Sequence, residues 1–420
     1  MGLDAIMLII FVAVVILGFV KKVNVGILSI AVAVVLGKVF GISNSVIFAG
    51  FSTSLFMTLV GITFLFAIVN STGALELMSK KIICLVGKKT WLIPIFIYIA
   101  GFVLAAVGPG AIPALAIIPP LAVTMALEVG YNPVMLALVG EAGLMAGRFS
   151  PITPEGVLVS GLAADQGITN IIGNALLTNT IMTSVYALLI YLFYKSYRVH
   201  IPAGLSLSAK EEKFTKNQII SLLGILAMLI LIIFVKINVG LAAFFVGAVL
   251  VFFNVAEESS VIKAVPWNTV MLVLGVGVLM NLVKEMGGID LLSNLLASIM
   301  TPRTAAPIMG VSAGLLSWVS SALGVVYPTL VPTVGGIVAK LGGGTSAAAL
   351  IAAIGAGGSC AGISPASTGG ALILAALASN KKDFTKEEEN KTFVNLFLWA
   401  VFALVLIAFM AFIGTFSILA

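Results

Sequence analysis

The chain alternates long apolar stretches with short polar loops. In the first half, apolar stretches cover residues 3–20, 25–42, 46–70, 132–163 and 170–194, and in the second half they cover residues 217–235, 239–255, 266–283, 346–379 and 392–416. A helix of about 20 residues crosses the roughly 30 Å hydrocarbon core of a bilayer. The pattern therefore predicts an all-α polytopic membrane protein with ten spans.

Two further apolar segments, residues 91–127 and 304–339, are interrupted near their middles. The first contains Gly108-Pro109-Gly110, and the second contains a stretch from Gly324 to Pro328 that also bears glycine and proline. Each half forms a helical arm of about 15 residues, which rises about 22 Å and does not reach across the core. Each segment is therefore predicted to be a re-entrant hairpin. A pair of complete spans in each place is the alternative and keeps the same parity.

Two of the ten spans are predicted to break inside the membrane. The spans at 132–163 and 346–379 contain Ser-Pro-Ile-Thr-Pro at 150–154 and Ser-Pro-Ala-Ser-Thr at 364–368, which are too rich in proline and hydroxyls for a continuous helix. Irregular backbone at membrane depth is tolerated where it is buried in protein or lines a cavity, so the breaks predict polar sites. A simple kink, with hydroxyls that bond back to the helix, is the alternative.

A single offset of 214 residues superimposes distant parts of the sequence. It places residues 22–26 on 236–240, residues 73–79 on 287–293, and residues 150–153 on 364–367. The match indicates an internal duplication, with repeat 1 at residues 1–195, a cytoplasmic linker at 196–216 and repeat 2 at 217–420. Because each copy has five spans, an odd number, the second copy is inverted relative to the first. Inverted repeats with broken helices are typical of secondary transporters, which bind substrate near the midplane.

Composition and charge agree with a membrane location. The 420 residues include 22 basic and 16 acidic side chains, or 9% charged residues, against roughly 25% in a soluble domain. The mean hydropathy of +1.22 also excludes a soluble globular protein. The net charge of +6 indicates membrane topology and not a nucleic-acid partner.

Basic residues set the predicted orientation, because loops rich in them stay in the cytoplasm. If the loop at Lys21 and Lys22 is cytoplasmic, most other basic residues also fall on cytoplasmic loops; those that fall outside are Lys38, Lys236, Lys284, Arg303 and Lys340. Both termini are then extracytoplasmic, in a multi-pass protein of the cell (inner) membrane. The first hairpin enters from the cytoplasm and the second from the exterior.

Arg148 is left at membrane depth, inside the first predicted break. An intramembrane charge is costly and is a functional candidate by default. Its guanidinium can clamp a substrate carboxylate with two hydrogen bonds, or it can pair structurally with Glu141 or Glu155. The duplication does not repeat the charge, because Gly362 stands at the equivalent position.

The paired tips and breaks resemble those of the ion transporter superfamily, whose sodium-coupled di- and tricarboxylate symporters have Ser-Asn-Thr tips and Gly-Thr-Pro-Pro breaks. Within it, the chain resembles the malonate/dicarboxylate carriers of the MatC type. The likeness rests on residues 24–26, 48–51, 58–60, 64–68 and 149–152. It implies a scaffold part that forms a homodimer, a mobile transport part and an elevator-like movement.

In that family, tips and breaks hold the substrate carboxylates and one Na⁺ per repeat. Carried over to this chain, and with Arg148 added on grounds of its charge, the predicted substrate-binding residues are Pro109, Gly110, Arg148, Ser150, Thr153, Ser321, Ala322, Ser364, Ser367 and Thr368. The predicted sodium ligands are Gly108, Ser150, Ile152, Ser320, Ser364 and Ala366. Both tips lack the asparagine of the family motif, so backbone N–H groups, Ser321 and the hydroxyls of the breaks take over its contacts.

These features predict Na⁺-coupled symport of a small dicarboxylate such as malonate or succinate, by alternating access, with no cofactor other than the coupling ion. A proton-coupled carboxylate carrier or an Na⁺/H⁺ antiporter is the alternative, and it requires a titrating carboxylate such as Glu141 or Glu155 at a break. An integral membrane enzyme is disfavoured because His200, the single histidine, lies in a predicted loop and the two cysteines are far apart. A channel is also conceivable, but inverted copies with closed hairpins suit alternating access better.

Overall fold

The computed structural model describes residues 2–84, 89–107, 110–198, 212–318, 320–365, 367–381 and 384–418. Within these residues every regular element is helical. The helices of the first half are α1 (Leu3–Lys21), α2 (Val25–Val39), α3 (Asn44–Ala49), α4 (Thr53–Ser71), α5 (Ala74–Cys84), α6 (Ile93–Ala106), α7 (Ala111–Leu115), α8 (Ile118–Val129), α9 (Pro133–Gly147), α10 (Pro154–Ala164) and α11 (Ile172–Phe193).

The second half begins after a short 3₁₀ turn at Ser196–Arg198. Its helices are α12 (Lys216–Ile233), α13 (Val239–Phe252), α14 (Glu258–Ala264), α15 (Trp267–Glu285), α16 (Gly288–Ser298), α17 (Ala305–Trp318), a π-helical turn (Ala322–Val326), α18 (Tyr327–Leu330), α19 (Val334–Leu341), α20 (Ala347–Cys360), α21 (Thr368–Asn380) and α22 (Lys386–Phe412). Six helical segments of the described residues are long and apolar enough to cross a membrane, so this is a multi-pass membrane protein.

The element order repeats at the offset found in the sequence. The pairs α2 and α13, α4 and α15, α9 and α20, α10 and α21, and α11 and α22 each begin 214 residues apart. The local reason is visible at α2 and α13, where Asn24 and Asn238 each accept a hydrogen bond from the backbone N–H two residues later and so cap the helix.

Reciprocal contacts join the two copies. A Cβ added to Gly26 of α2 would collide with the carbonyl of Met271 on α15, and one added to Gly240 of α13 would collide with the carbonyl of Met57 on α4. Since Gly26 corresponds to Gly240 and Met57 to Met271, each copy makes the same contact to the other. Such reciprocity is the property of units related by an approximate two-fold axis. The inverted orientation in the membrane stays a prediction.

Helices are interrupted within both predicted hairpin segments and at both predicted breaks. In the second hairpin segment the interruption lies before Ala322, ahead of the predicted stretch Gly324–Pro328, and Ala322–Leu341 is a helical segment long enough to cross a membrane. The re-entrant course of the hairpins therefore stays a prediction.

The arms α6 and α17 have 14 residues each, which corresponds to a rise of about 21 Å. We define the first break as residues 148–153, between α9 and α10, and the second break as residues 361–367, between α20 and α21. Glycines let each arm pack closely on a broken helix, with Gly143 of α9 against Tyr98 of α6, and Gly357 of α20 against Gly310 of α17.

The structure refines the predicted layout in three places. The span predicted at 46–70 lies within Asn44–Ser71, which is long and apolar enough to cross a membrane, but it consists of α3 and α4, because the Ser52 side chain accepts a hydrogen bond from the Leu55 N–H and starts a new helix. The predicted loop at 380–391 is shorter, because a reciprocal capping box between Thr385 and Glu388 starts α22 at Lys386. The amphipathic helices α5 and α16 were not predicted, since their charged faces hide them from a search for apolar stretches.

Candidate functional site

A cavity of about 650 Å³ lies where the two hairpin tips meet the two breaks. The first copy contributes Ala111 and Leu115 of α7, Arg148 of the first break and Glu155 of α10, together with Lys22 and Asn24 from the turn between α1 and α2. The second copy contributes Asn268, Thr269, Ser317, Ser320, Ser321, Ala322, Gly358, Gly362, Ser367 and Thr368. Its size is that of a small-molecule pocket. Polar groups from both copies therefore converge on one space.

Arg148 and Glu155 form an ion pair at the wall of this cavity. Arg148 Nη2 lies 2.9 Å from Glu155 Oε1, and the two side chains are 11% and 3% exposed. Glu155 Oε1 also accepts a weak hydrogen bond from the Ala111 N–H at 3.4 Å. Of the two partners predicted for Arg148, the structure pairs it with Glu155. The pair links the first break to the tip of the first hairpin.

The pair leaves some of its hydrogen-bonding capacity unused. Arg148 Nε and Glu155 Oε2 have no hydrogen-bond partner among the described residues. Gly110 makes room for the carboxylate: its φ is +71°, and a Cβ added there would lie 2.5 Å from Glu155 Oε2. Arg148 also lines the cavity, so its charged guanidinium lies next to the space that an anion would enter.

At each break a hydroxyl group forms hydrogen bonds with backbone carbonyls. Thr153 Oγ1 lies 2.6 Å from the carbonyl oxygen of Arg148 and 2.8 Å from that of Ser150, and it accepts a hydrogen bond from the Gly156 N–H at 3.1 Å. Ser367 Oγ makes the equivalent bonds to the carbonyls of Gly362 and Ser364, at 2.7 and 2.9 Å. These hydroxyls satisfy carbonyls that the break would otherwise leave without partners.

We expect Thr153→Val to lower the free energy of unfolding by about 1–2 kcal/mol, because it removes the cap and the partner of two buried carbonyls while it keeps the shape of the side chain. Thr153→Ser keeps the hydroxyl and should stay within about 0.5 kcal/mol of the parent protein. Thermal unfolding in detergent compares the two. Equal stability of the valine and serine variants would contradict a capping role.

Six of the predicted site residues line the cavity: Arg148, Ser320, Ser321, Ala322, Ser367 and Thr368. Five others lie beside it, outside its lining: Gly110, Ser150, Ile152, Thr153 and Ser364. Gly108, Pro109 and Ala366 lie outside the described residues. The two sodium sites stay predictions.

Several polar residues of the cavity were not predicted. Asn24 caps α2 and also donates a hydrogen bond from Nδ2 to the carbonyl of Asn268, at 2.8 Å, so it ties the first copy to the start of α15. Ser317 Oγ donates to the carbonyl of Gly358 at 2.9 Å. The repetition of Asn24 as Asn238 was a signal for the cap. Nothing in the sequence indicated the contact to Asn268, because the two residues are joined by tertiary packing.

Glu141 of α9 is buried behind the second break. It is 1% exposed, and neither carboxylate oxygen has a hydrogen-bond partner among the described residues. A Cβ added to Gly369, in the first turn of α21, would lie 2.5 Å from Glu141 Oε1. The carboxylate of one copy therefore approaches the broken helix of the other.

The fold and the cavity together define a multi-pass membrane protein with two related halves around a shared polar site. Residues 1–148 match the family model of the dicarboxylate carrier protein MatC N-terminus. The resemblance to MatC-type carriers that the sequence predicts is therefore confirmed over this part of the chain. No curated protein matches the chain.

Among solved structures, the chain is similar to the YdaH transporter of Alcanivorax borkumensis, whose crystal structure is described as having an unusual topology. The TM-score is 0.63 at 14% sequence identity, over 97% of this chain and 98% of that one. At this identity the likeness shows a shared fold. The match to a carrier family supports the prediction of a transporter and not an enzyme.

Proposed function

We propose that this protein is a secondary active transporter that couples the uptake of a small dicarboxylate, of the size of malonate or succinate, to sodium ions. The observation that carries the proposal is the cavity in which both hairpin tips and both breaks meet around the Arg148 guanidinium. The match of residues 1–148 to a dicarboxylate carrier family supports the substrate class.

The cavity suits an anion with two carboxylates. One carboxylate lies against the guanidinium of Arg148, which lines the cavity. The other lies at the start of α21, where Thr368 lines the cavity and the helix N-terminus offers N–H groups and a partial positive charge. Ser321 and Ser320 on the second tip complete the polar wall.

Sodium coupling offsets the charge that such a substrate carries. Moving a dianion into a negative interior costs about 2.3 kcal/mol per charge for each 100 mV. Two Na⁺ ions would cancel the substrate charge, and a third would make transport electrogenic. The freed carbonyls of broken helices are groups that ligate Na⁺ in transporters of this architecture.

The lining of the cavity supports an inward-facing state. Its lining includes Gly18, Lys22 and Asn24 at the turn between α1 and α2. That turn is cytoplasmic in the predicted topology, so we assign an inward-facing state to the structure. Alternating access then requires the tips and breaks to move together against the helices that carry this turn, as in an elevator mechanism between protomers of a homodimer in the inner membrane.

Uptake into proteoliposomes tests the proposal. We expect radiolabelled malonate or succinate to accumulate under an inward Na⁺ gradient, and replacement of Na⁺ by choline at the same ionic strength to abolish accumulation. Protein-free liposomes give the background. Uptake that follows a pH gradient without sodium would contradict the coupling ion, and absence of uptake of both dicarboxylates would contradict the substrate class.

A further inference from the structure

The Glu141 carboxyl group lies in surroundings that disfavour an isolated negative charge. The side chain is 1% exposed, and both of its oxygens lack a hydrogen-bond partner among the described residues. An ionised carboxylate buried without a partner costs several kcal/mol, so such a group is either neutralised by a proton or paired with a cation. Arg148 pairs with Glu155 and is therefore not that cation.

A second oxygen lies close to this carboxylate. A Cβ added to Gly369 would lie 2.5 Å from Glu141 Oε1 and also 2.5 Å from the carbonyl oxygen of Gly362. The two oxygens are therefore at most about 5 Å apart, on either side of the glycine. Carboxylate and carbonyl oxygens are the ligands that hard metal cations prefer.

The two breaks differ in the charged side chains that they carry. At the first break the chain has Arg148 and Glu155, a cation and its carboxylate; the equivalent positions at the second break are Gly362 and Gly369. A Cβ added to Gly362 would meet, among described atoms, only Met145 Cε at 3.7 Å. The second break thus has room at the position where the first break carries its guanidinium.

The two copies depart from their two-fold relation in the placement of these carboxylates. The counterpart of the contact between Glu141 and Gly369 is an approach of Gly355 to Glu155. There the ring of Phe149 covers Gly355, 2.8 Å from an added Cβ, and Glu155 turns to Arg148. Glu141, in contrast, lies close to the second break, and that break contains no charged residue.

We infer that Glu141 is the anionic ligand of a coupling sodium ion, held between its carboxylate and the Gly362 carbonyl. The inference rests on the proposed sodium coupling and deepens it. It assigns one of the coupling ions to the second break, where the first break has the fixed charge of Arg148. Bound sodium neutralises the buried carboxylate and joins α9 of one copy to the broken helix of the other.

Sodium-dependent thermal stability in detergent tests this site without any substrate. NaCl is titrated against choline chloride at constant ionic strength and constant pH, and the unfolding temperature is recorded, because an ion that binds the folded state raises it. For the parent protein we expect a saturable rise. In Glu141→Gln, the loss of the charged ligand should increase the sodium concentration for half-maximal effect at least about tenfold.

Two variants complete the test. Glu128→Gln removes an exposed carboxylate from α8 and should leave the sodium response unchanged. Glu141→Asp keeps the charge but withdraws it by one methylene, so it should retain a weakened response. A parent-like response of Glu141→Gln, or a parent protein that sodium does not stabilise, would overturn the inference. Failure of the dicarboxylate proposal alone would leave this response intact, so the two failures are distinguishable.

Discussion

Replacement of Arg148 by glutamine is expected to reduce dicarboxylate uptake at least about 100-fold. The loss of a charged hydrogen-bond donor from a desolvated anion site costs several kcal/mol, and the guanidinium of Arg148 is the group we assign to a substrate carboxylate. The same change leaves Glu155, 3% exposed, without its cation, which costs about 3–5 kcal/mol of folding free energy. Uptake into proteoliposomes and thermal unfolding measure the two effects.

The double variant Arg148→Gln with Glu155→Gln separates folding from transport. It removes both charges, so most of the lost stability should return, since a buried pair replaced as a unit is often neutral. Uptake should stay low, because the substrate still lacks the guanidinium. If the double variant transports within about threefold of the parent protein, Arg148 is a structural residue and not a substrate ligand.

The second large effect is expected at the glycines that let hairpin arms pack on broken helices. In Gly143→Ala the new Cβ would collide with the Tyr98 carbonyl, and in Gly357→Ala with the Gly310 carbonyl. Backbone atoms cannot move aside as side chains do, so we expect each change to lower the free energy of unfolding by about 3 kcal/mol or more. The shift of α6 or α17 would also displace the adjacent hairpin tip and reduce uptake.

Gly161→Ala provides the matched control for these glycines. Gly161 lies in α10, and no described atom lies within 4 Å of a Cβ added there. Alanine should therefore raise helix stability by up to about 1 kcal/mol. The recovery of monodisperse protein in detergent and its unfolding temperature compare the three variants. Similar stability of Gly143→Ala and Gly161→Ala would show that the close crossing does not hold α6 in place.

Local patterns predicted much of the fold. Most apolar stretches are helices, the helices of the two long spans are interrupted at the predicted breaks, and the helix starts recur at the 214-residue offset. The interruption predicted at Gly324–Pro328 was wrong, because that stretch is helical and the interruption lies before Ala322. The missed start of α22 was also local, because the capping box of Thr385 and Glu388 can be recognised in sequence. Hydropathy alone extended the preceding loop, since it does not register caps.

Only part of the candidate site could be predicted from the sequence. Residues at the hairpin tips and at the start of α21 line the cavity, as expected from broken helices at membrane depth. The hydroxyls of Thr153 and Ser367 bond to carbonyls of their own breaks, an outcome that composition could not distinguish from ligand binding. Glu155 and Glu141 lie seven residues on either side of Arg148, so spacing could not select the partner.

The sequence by itself determined that the chain crosses a membrane repeatedly, that it is duplicated, and where its two long spans break, because hydropathy, repetition and the lack of a proline N–H act over a few residues. Tertiary structure decided which carboxylate pairs with Arg148, which hydroxyls line the cavity and that Glu141 approaches Gly369. Those facts depend on how helices of the two copies are rotated and placed against each other, and the close glycine crossings between distant segments set that geometry.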